Sequence, residues 1–143
     1  PFLQYEGKWA VVLALTSNPS AADFELQRME DGGYLYEKVI DTACGWGTTD
    51  NLMFVVGATQ AKMLRGIRRL IPNHFLLVPG VGAQGGSLEE VARYGMNGRC
   101  GLLVNSSRSI IYADSTERFA EAAAEKSAEL AAEMAGLLDS YLK

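Results

Sequence analysis

Histidine and cysteine are scarce here: the 143 residues hold one histidine and two cysteines. Cys44 and Cys100 share neither a CxxC spacing nor a nearby histidine, which excludes the usual zinc and disulfide-exchange motifs. Two reduced thiols in a cytoplasmic chain are the expectation. His74, ahead of an apolar run and on the side away from the loops discussed below, is assigned no role. Positive charge is short as well. The 13 Lys and Arg face 17 Asp and Glu, for a net charge of -4, so nucleic acid and acidic membrane surfaces are poor matches for a partner. No apolar run approaches the roughly 18 residues of a membrane span, and no signal peptide is expected. With four prolines, no proline-rich linker or low-complexity stretch divides the chain. An initiator methionine is missing too. The chain opens PFLQYEGKWAVVLAL, almost directly on its first apolar run, and reads as one entered in its middle.

What is present is an ordinary core-forming composition, 48% hydrophobic and 21% charged, in a length suited to one domain. Trp9–Leu15 is a continuous apolar run, as in a strand covered on both faces. A loop over 16–20 follows, then a helix predicted to begin near Ala21, a break at Gly32-Gly33, and helical spacing over Tyr34–Thr42. Asn51–Val56 is a second strand. Gln60–Leu70 reads as an amphipathic helix with Met63, Ile67 and Leu70 inward and Lys62, Arg65, Arg68 and Arg69 outward. Phe75–Val78 is a third strand, and Ser87 is a good N-cap for the helix after it. Gly101–Val104 is a fourth. A long helix is predicted from Asp114, with Asp114 and Glu117 as a capping box and an apolar stripe of Phe119, Ala123, Leu130, Met134, Leu137 and Tyr141. Strands alternating with helices imply a parallel sheet, either doubly wound or part of a barrel.

The third strand runs into Val78-Pro-Gly-Val-Gly-Ala-Gln-Gly-Gly86. The spacing Gly80-x-Gly82-x-x-Gly85 matches the dinucleotide fingerprint, but that motif belongs on the first strand-helix unit and requires a carboxylate after the next strand. Here two units precede it, and the next strand ends in Asn105-Ser-Ser-Arg108. A P-loop is excluded because no Gly-Lys-Ser/Thr follows. A better fit is the phosphate site that consecutive strand-helix loops form in barrels, with glycine N–H groups and an arginine. Gly80, Gly82, Gly85 and Gly86 would offer backbone, and Arg108 a bidentate cation. Ser17 follows the first strand and shares that edge. A tight turn beside a solvated arginine is the bland alternative.

Three segments, Leu15-Thr-Ser-Asn-Pro-Ser-Ala-Ala-Asp-Phe24, Val78–Gly86 and Val104-Asn-Ser-Ser-Arg-Ser-Ile-Ile-Tyr-Ala113, together resemble the orotidine 5'-phosphate decarboxylase family, most of all its longer bacterial branch. The resemblance runs along essentially the whole chain but reaches only the C-terminal half of that enzyme. It implies an α/β fold of the (β/α)8 TIM-barrel family, residues 1–143 supplying about the last four βα units. It further implies conversion of orotidine 5'-monophosphate to UMP and CO2 in de novo pyrimidine biosynthesis, with no metal or organic cofactor. Ser17 matches the serine at the pyrimidine amide edge, Pro79 the proline near the base, and Gln84 the loop glutamine that reaches phosphate and pyrimidine. Arg108 matches the phosphate arginine. Ser107 replaces a neighbour, often glycine, whose N–H also binds phosphate, a change tolerable only at negative φ.

The family's Lys-Asp-Lys-Asp array is not matched. The one similar string, Lys38-Val-Ile-Asp41, has Tyr36 where the first Asp should stand and falls in a helical segment, so no catalytic residue is assigned in this chain, which by itself is expected to be inactive. The partners implied are orotidine 5'-monophosphate or UMP, the missing N-terminal half, and a second copy in a homodimer. The runs 9–15 and 101–104 would be bare edges, a route to association. The competing readings are another phosphate-binding α/β nucleotide-binding domain without catalysis, and an interaction module whose glycine loop is only a turn.

Overall fold

A computed structural model describes residues 1–82 and 85–142. Strands β1 (Ala10–Leu15), β2 (Leu52–Val56), β3 (Phe75–Pro79) and β4 (Leu102–Asn105) form one sheet in the order β1-β2-β3-β4, and every pairing is parallel. Helices α1 (Leu35–Cys44), α2 (Ala61–Leu70) and α3 (Leu88–Gly95) make the crossovers; α4 (Ser107–Ile111) and α5 (Phe119–Tyr141) follow the last strand. The predicted strands are all found, within a residue of their expected limits.

The two faces of the sheet differ. Leu52, Phe54, Val56, Leu76 and Val78 are completely buried, as are Ile40, Leu64, Ile67 and Val91 from the helices. The opposite face is apolar yet open: Val11 is 47% exposed, Leu13 55% and Leu103 52%. The chain exposes 8801 Å², whereas a compact monomer of its mass exposes about 7,200 Å². The strand register shifts between Leu13 and Leu15, and this irregularity turns both Ala14 and Leu15 inward before the chain leaves the sheet at Thr16.

Several helical expectations require correction. After β1 there is only a 3-10 turn, Pro19–Asp23. The chain then runs out to an antiparallel bridge between Arg28 and Tyr34, where the guanidinium lies 3.9 Å from the Tyr34 ring centroid and Gly32 turns at φ +84°. Helix α1 begins as expected, with Glu37 Oε2 accepting from the Tyr34 N–H at 2.8 Å. In α2 the inward face is Ala61, Leu64 and Ile67, while Leu70 is 47% exposed. Arg68, one turn beyond Leu64, therefore points inward rather than to solvent. The Ser87 cap of α3 is formed, its Oγ accepting from Glu90 N–H at 3.2 Å. Helix α5 starts at Phe119, not Asp114. Asp114 Oδ1 instead accepts from the Thr116 N–H at 2.7 Å, a local turn that competes with a helix start. Of its predicted stripe, Leu130, Met134 and Leu137 pack on the core, whereas Phe119 and Tyr141 remain exposed.

Candidate functional site at the carboxyl edge of the sheet

Because all four strands run the same way, every loop that follows a strand emerges on one edge. Ser17, Pro79, Ser107 and Arg108 meet there around a cleft of about 310 Å³ whose floor includes Leu13 and Val55. Gln84 lies outside the described residues. Its apolar floor and polar rim are of the kind found in small-molecule sites.

The turn after β1 is fixed from two sides. Glu25 accepts from the Thr16 N–H at 2.6 Å and from the Thr16 hydroxyl at 3.1 and 3.2 Å, a carboxylate that sequence spacing did not single out. Gln60 Nε2 reaches the Thr16 carbonyl at 3.4 Å, and the Thr59 N–H reaches Ser17 Oγ at 3.4 Å. Gly57, next to β2, lies so close that a Cβ there would overlap Ser17 Oγ and stand 2.5 Å from its backbone nitrogen. Ser17 is thus half-buried, held against a neighbouring loop and part of the cleft lining.

Pro79 ends β3 opposite Asn105, at the edge of the ladder where a missing N–H costs little. Beyond it Gly80, Gly82 and Gly85 take φ of +94°, +79° and +82°, the left-handed region open to glycine. The glycine amides serve the loop itself. Gly82 N–H donates to the Gly86 carbonyl at 3.0 Å, Gly85 to Gly82 at 2.8 Å, and Gly86 to Gly80 at 3.3 Å. Gly86 has a packing reason as well, since a Cβ would overlap Ala58 Cβ and stand 2.8 Å from the Gly80 carbonyl.

After β4, Asn105 Oδ1 accepts from both the N–H and the hydroxyl of Ser107, at 3.2 and 2.7 Å. Ser107 opens α4 with negative φ, because Cys100 is the one non-glycine residue at positive φ among those described. Arg108 is exposed at the cleft rim. Among the described residues the single ion pair is Lys126–Glu129 on α5, so no carboxylate there competes for Arg108. Lys38 and Asp41 are both exposed on α1 and do not line the cleft.

At the opposite edge the chemistry is structural. The Arg68 guanidinium donates to the carbonyls of Gly95, His74, Gly101 and Ile71 at 2.5, 2.6, 2.8 and 3.3 Å, and burial pulls its pKa down to about 10. His74 packs edge-on to Phe54, with ring centroids 5.6 Å apart. Both its ring nitrogens are buried without a hydrogen-bond partner among the described residues, and burial together with Arg68 holds its pKa below the usual 6.5. Both cysteines are free thiols.

No family model matches the chain. Over 124 residues it is 64% identical to orotidine 5'-phosphate decarboxylase of Porphyromonas gingivalis, covering 87% of this chain and 45% of the relative. Over 142 residues it is 55% identical to orotidine 5'-phosphate decarboxylase of Bacteroides fragilis, covering 99% and 52%. The solved structure of Leishmania donovani OMP decarboxylase superposes with a TM-score of 0.70 at 34% identity, over 87% of this chain and 47% of that one. The chain spans about half the length of the relatives it matches. The solved neighbours are (β/α)8 barrels, and the parallel sheet described above is of that class.

Proposed function

Taking as premise that the chain belongs to the orotidine 5'-phosphate decarboxylase family, we propose that it is the C-terminal, ligand-holding half of that enzyme's barrel. The observation that carries this reading is the meeting of Ser17, Pro79 and Arg108 at one cleft on the carboxyl edge of the sheet. Ser17 Oγ reads the amide edge of the pyrimidine, Pro79 borders the base, and the Arg108 guanidinium takes the phosphate dianion. The Ser107 N–H joins it by exchanging the Asn105 carboxamide oxygen for a phosphate oxygen. Gln84 matches the family glutamine that reaches phosphate and pyrimidine. Bare edges at β1 and β4, and an open apolar face, support a remaining half that pairs with both edges and covers that face.

Decarboxylation breaks the bond from C6 of the pyrimidine to its carboxylate. CO2 departs, the electron pair stays at C6, and a proton replaces the lost group. Because the family's Lys-Asp-Lys-Asp array is not matched in this chain, we assign the supply of that proton to the remaining half. Phosphate binding here, remote from C6, contributes energy that is realised in the transition state. The assembled protein is read as a cytoplasmic homodimer in pyrimidine biosynthesis; no helix among the described residues is long and apolar enough to cross a membrane.

Titration with UMP, followed by NMR or calorimetry, tests the reading. Arg108→Ala should weaken binding by about 1.5–3 kcal/mol, the loss of a charge-assisted contact. Affinity indifferent to Arg108 in a folded variant would sink it.

A further inference from the structure

Three serines follow β4 in close succession, and the fold puts Ser106, Ser107 and Ser109 to different uses. Ser107 is exposed and spends its hydroxyl on Asn105. Ser106 is 8% exposed, the one buried polar side chain among the described residues. Its hydroxyl donates to the Val81 carbonyl at 2.7 Å and lies 2.5 Å from Ser109 Oγ. With its single hydrogen on Val81, Ser106 must accept from Ser109, whose other neighbour is the Ser106 carbonyl at 3.2 Å. The backbone of the glycine loop rests on this pair: a Cβ at Gly82 would stand 3.3 Å from Ser109 Oγ and 3.6 Å from Ser106 Oγ. On its far side Gly82 is tied by its N–H to Gly86. Among the described residues, Ser106 to Val81 is the only side-chain hydrogen bond between the loop after β3 and the turn after β4.

We propose that Ser106 and Ser109 are positioning residues, a hydroxyl pair that fixes the glycine loop relative to Arg108, which lies between them in sequence. The proposal rests on Arg108 as the phosphate ligand. It assigns the pair to the phosphate end of the ligand rather than to the base, because Ser106 and Ser109 flank Arg108 in sequence, while neither Ser17 nor Pro79 shares a hydrogen bond with them. The burial of Ser106 makes the link stiff, since its hydroxyl and the Val81 carbonyl have no water to exchange for.

Ser106→Ala, Ser109→Ala and, as a distant control, Ser140→Ala in α5 would be compared by two measurements. The first is affinity for UMP and for uridine, which lacks the phosphate. Ser106→Ala should weaken UMP by about tenfold and uridine by less than about twofold, with Ser109→Ala intermediate. Equal losses for the two ligands would overturn the assignment to the phosphate end. The second is amide exchange of Gly82 in the ligand-free chain, which should quicken by about tenfold while Leu76, hydrogen-bonded to the Gly101 carbonyl at 2.8 Å, stays unchanged. Unaltered Gly82 exchange would show that the pair does not hold the loop. If the parent chain binds neither ligand, the functional reading fails, and exchange alone still decides whether the hydroxyl pair acts as described.

Discussion

Removing the Arg68 guanidinium should cost the fold at least about 3 kcal/mol, although no acid pairs with it among the described residues. Four carbonyls from four separate places accept its protons: the end of α2, the end of α3, the turn before β3 and the turn before β4. Hydrogen bonds from a charged donor contribute about 1.5–3 kcal/mol each, a figure already net of desolvation. Burial pulls the pKa of this cation down to about 10, which places its bonds at the low end of that range. Arg68→Met keeps the aliphatic stem but forfeits all four bonds, for a loss of at least about 3 kcal/mol. Urea unfolding followed by circular dichroism would read this as a lower midpoint at unchanged slope. Arg69→Met, on the exposed face of the same helix, should stay within about 0.5 kcal/mol of the parent. If Arg68→Met matched the parent or were more stable, as happens when apolar residues replace some buried charges, the carbonyl-collecting role assigned to it would be wrong.

Two further outcomes follow from close contacts elsewhere. Gly57→Ala introduces no backbone strain, since φ is -64°, but its methyl would overlap Ser17 Oγ and crowd the Ser17 backbone. It should destabilise by about 1–3 kcal/mol and weaken UMP binding disproportionately; an affinity unchanged at equal stability would refute the placement of Ser17 in the site. For His74 the folded pKa lies below 6.5, so the folded state holds fewer protons than the unfolded chain just below that pH. Its contribution to stability is complete above about pH 6.5 and is lost as pH falls from there toward the folded pKa, by at most about 1.4 kcal/mol per unit. His74→Phe should flatten that acid slope in urea midpoints measured at about pH 7.5, 6.5 and 5.5, and an unaltered slope would assign the acid sensitivity to other groups.

The strands were legible because each is a short, unbroken apolar run, and four such runs separated by helix-length intervals leave a parallel sheet as the economical solution. That topology alone carries Ser17, Pro79 and Arg108 to one edge, so much of the site was legible as well. Other features depend on partners distant in sequence. Arg68 carries the charge of a solvent-facing residue although it stands one turn beyond buried Leu64, and nothing local reveals that carbonyls from three other segments converge on it. Glu25 lies nine residues from Thr16 in a stretch that looked helical, yet its carboxylate is claimed by the turn after β1. Helix α4 is five residues long, too short to show a period, and the start of α5 was displaced because Asp114 serves its own turn. The glycine amides illustrate a subtler failure. Spacing marks them as able to approach an anion, but the structure shows their N–H groups closing the loop on itself.

These differences fall into a pattern that bears on how the molecule divides its labour. At the edge where the strands begin, Arg68 ties four segments together and His74 is packed without polar partners, so the groups there are committed and few of them could change partners without loss of stability. At the edge where the strands end, the contacts between loops are fewer. Asn105 holds Ser107 within its own turn, Arg108 has no ion-pair partner among the described residues, and one buried hydroxyl joins the loop after β3 to the turn after β4. Parallel strands make this separation possible, since every crossover places its tight return at one edge and its variable loop at the other. A cleft assembled from weakly cross-linked loops can reorganise around a ligand only if their feet stay fixed, and here the feet are fixed by Gly57 against Ser17 on one side and by Ser106 against Val81 on the other.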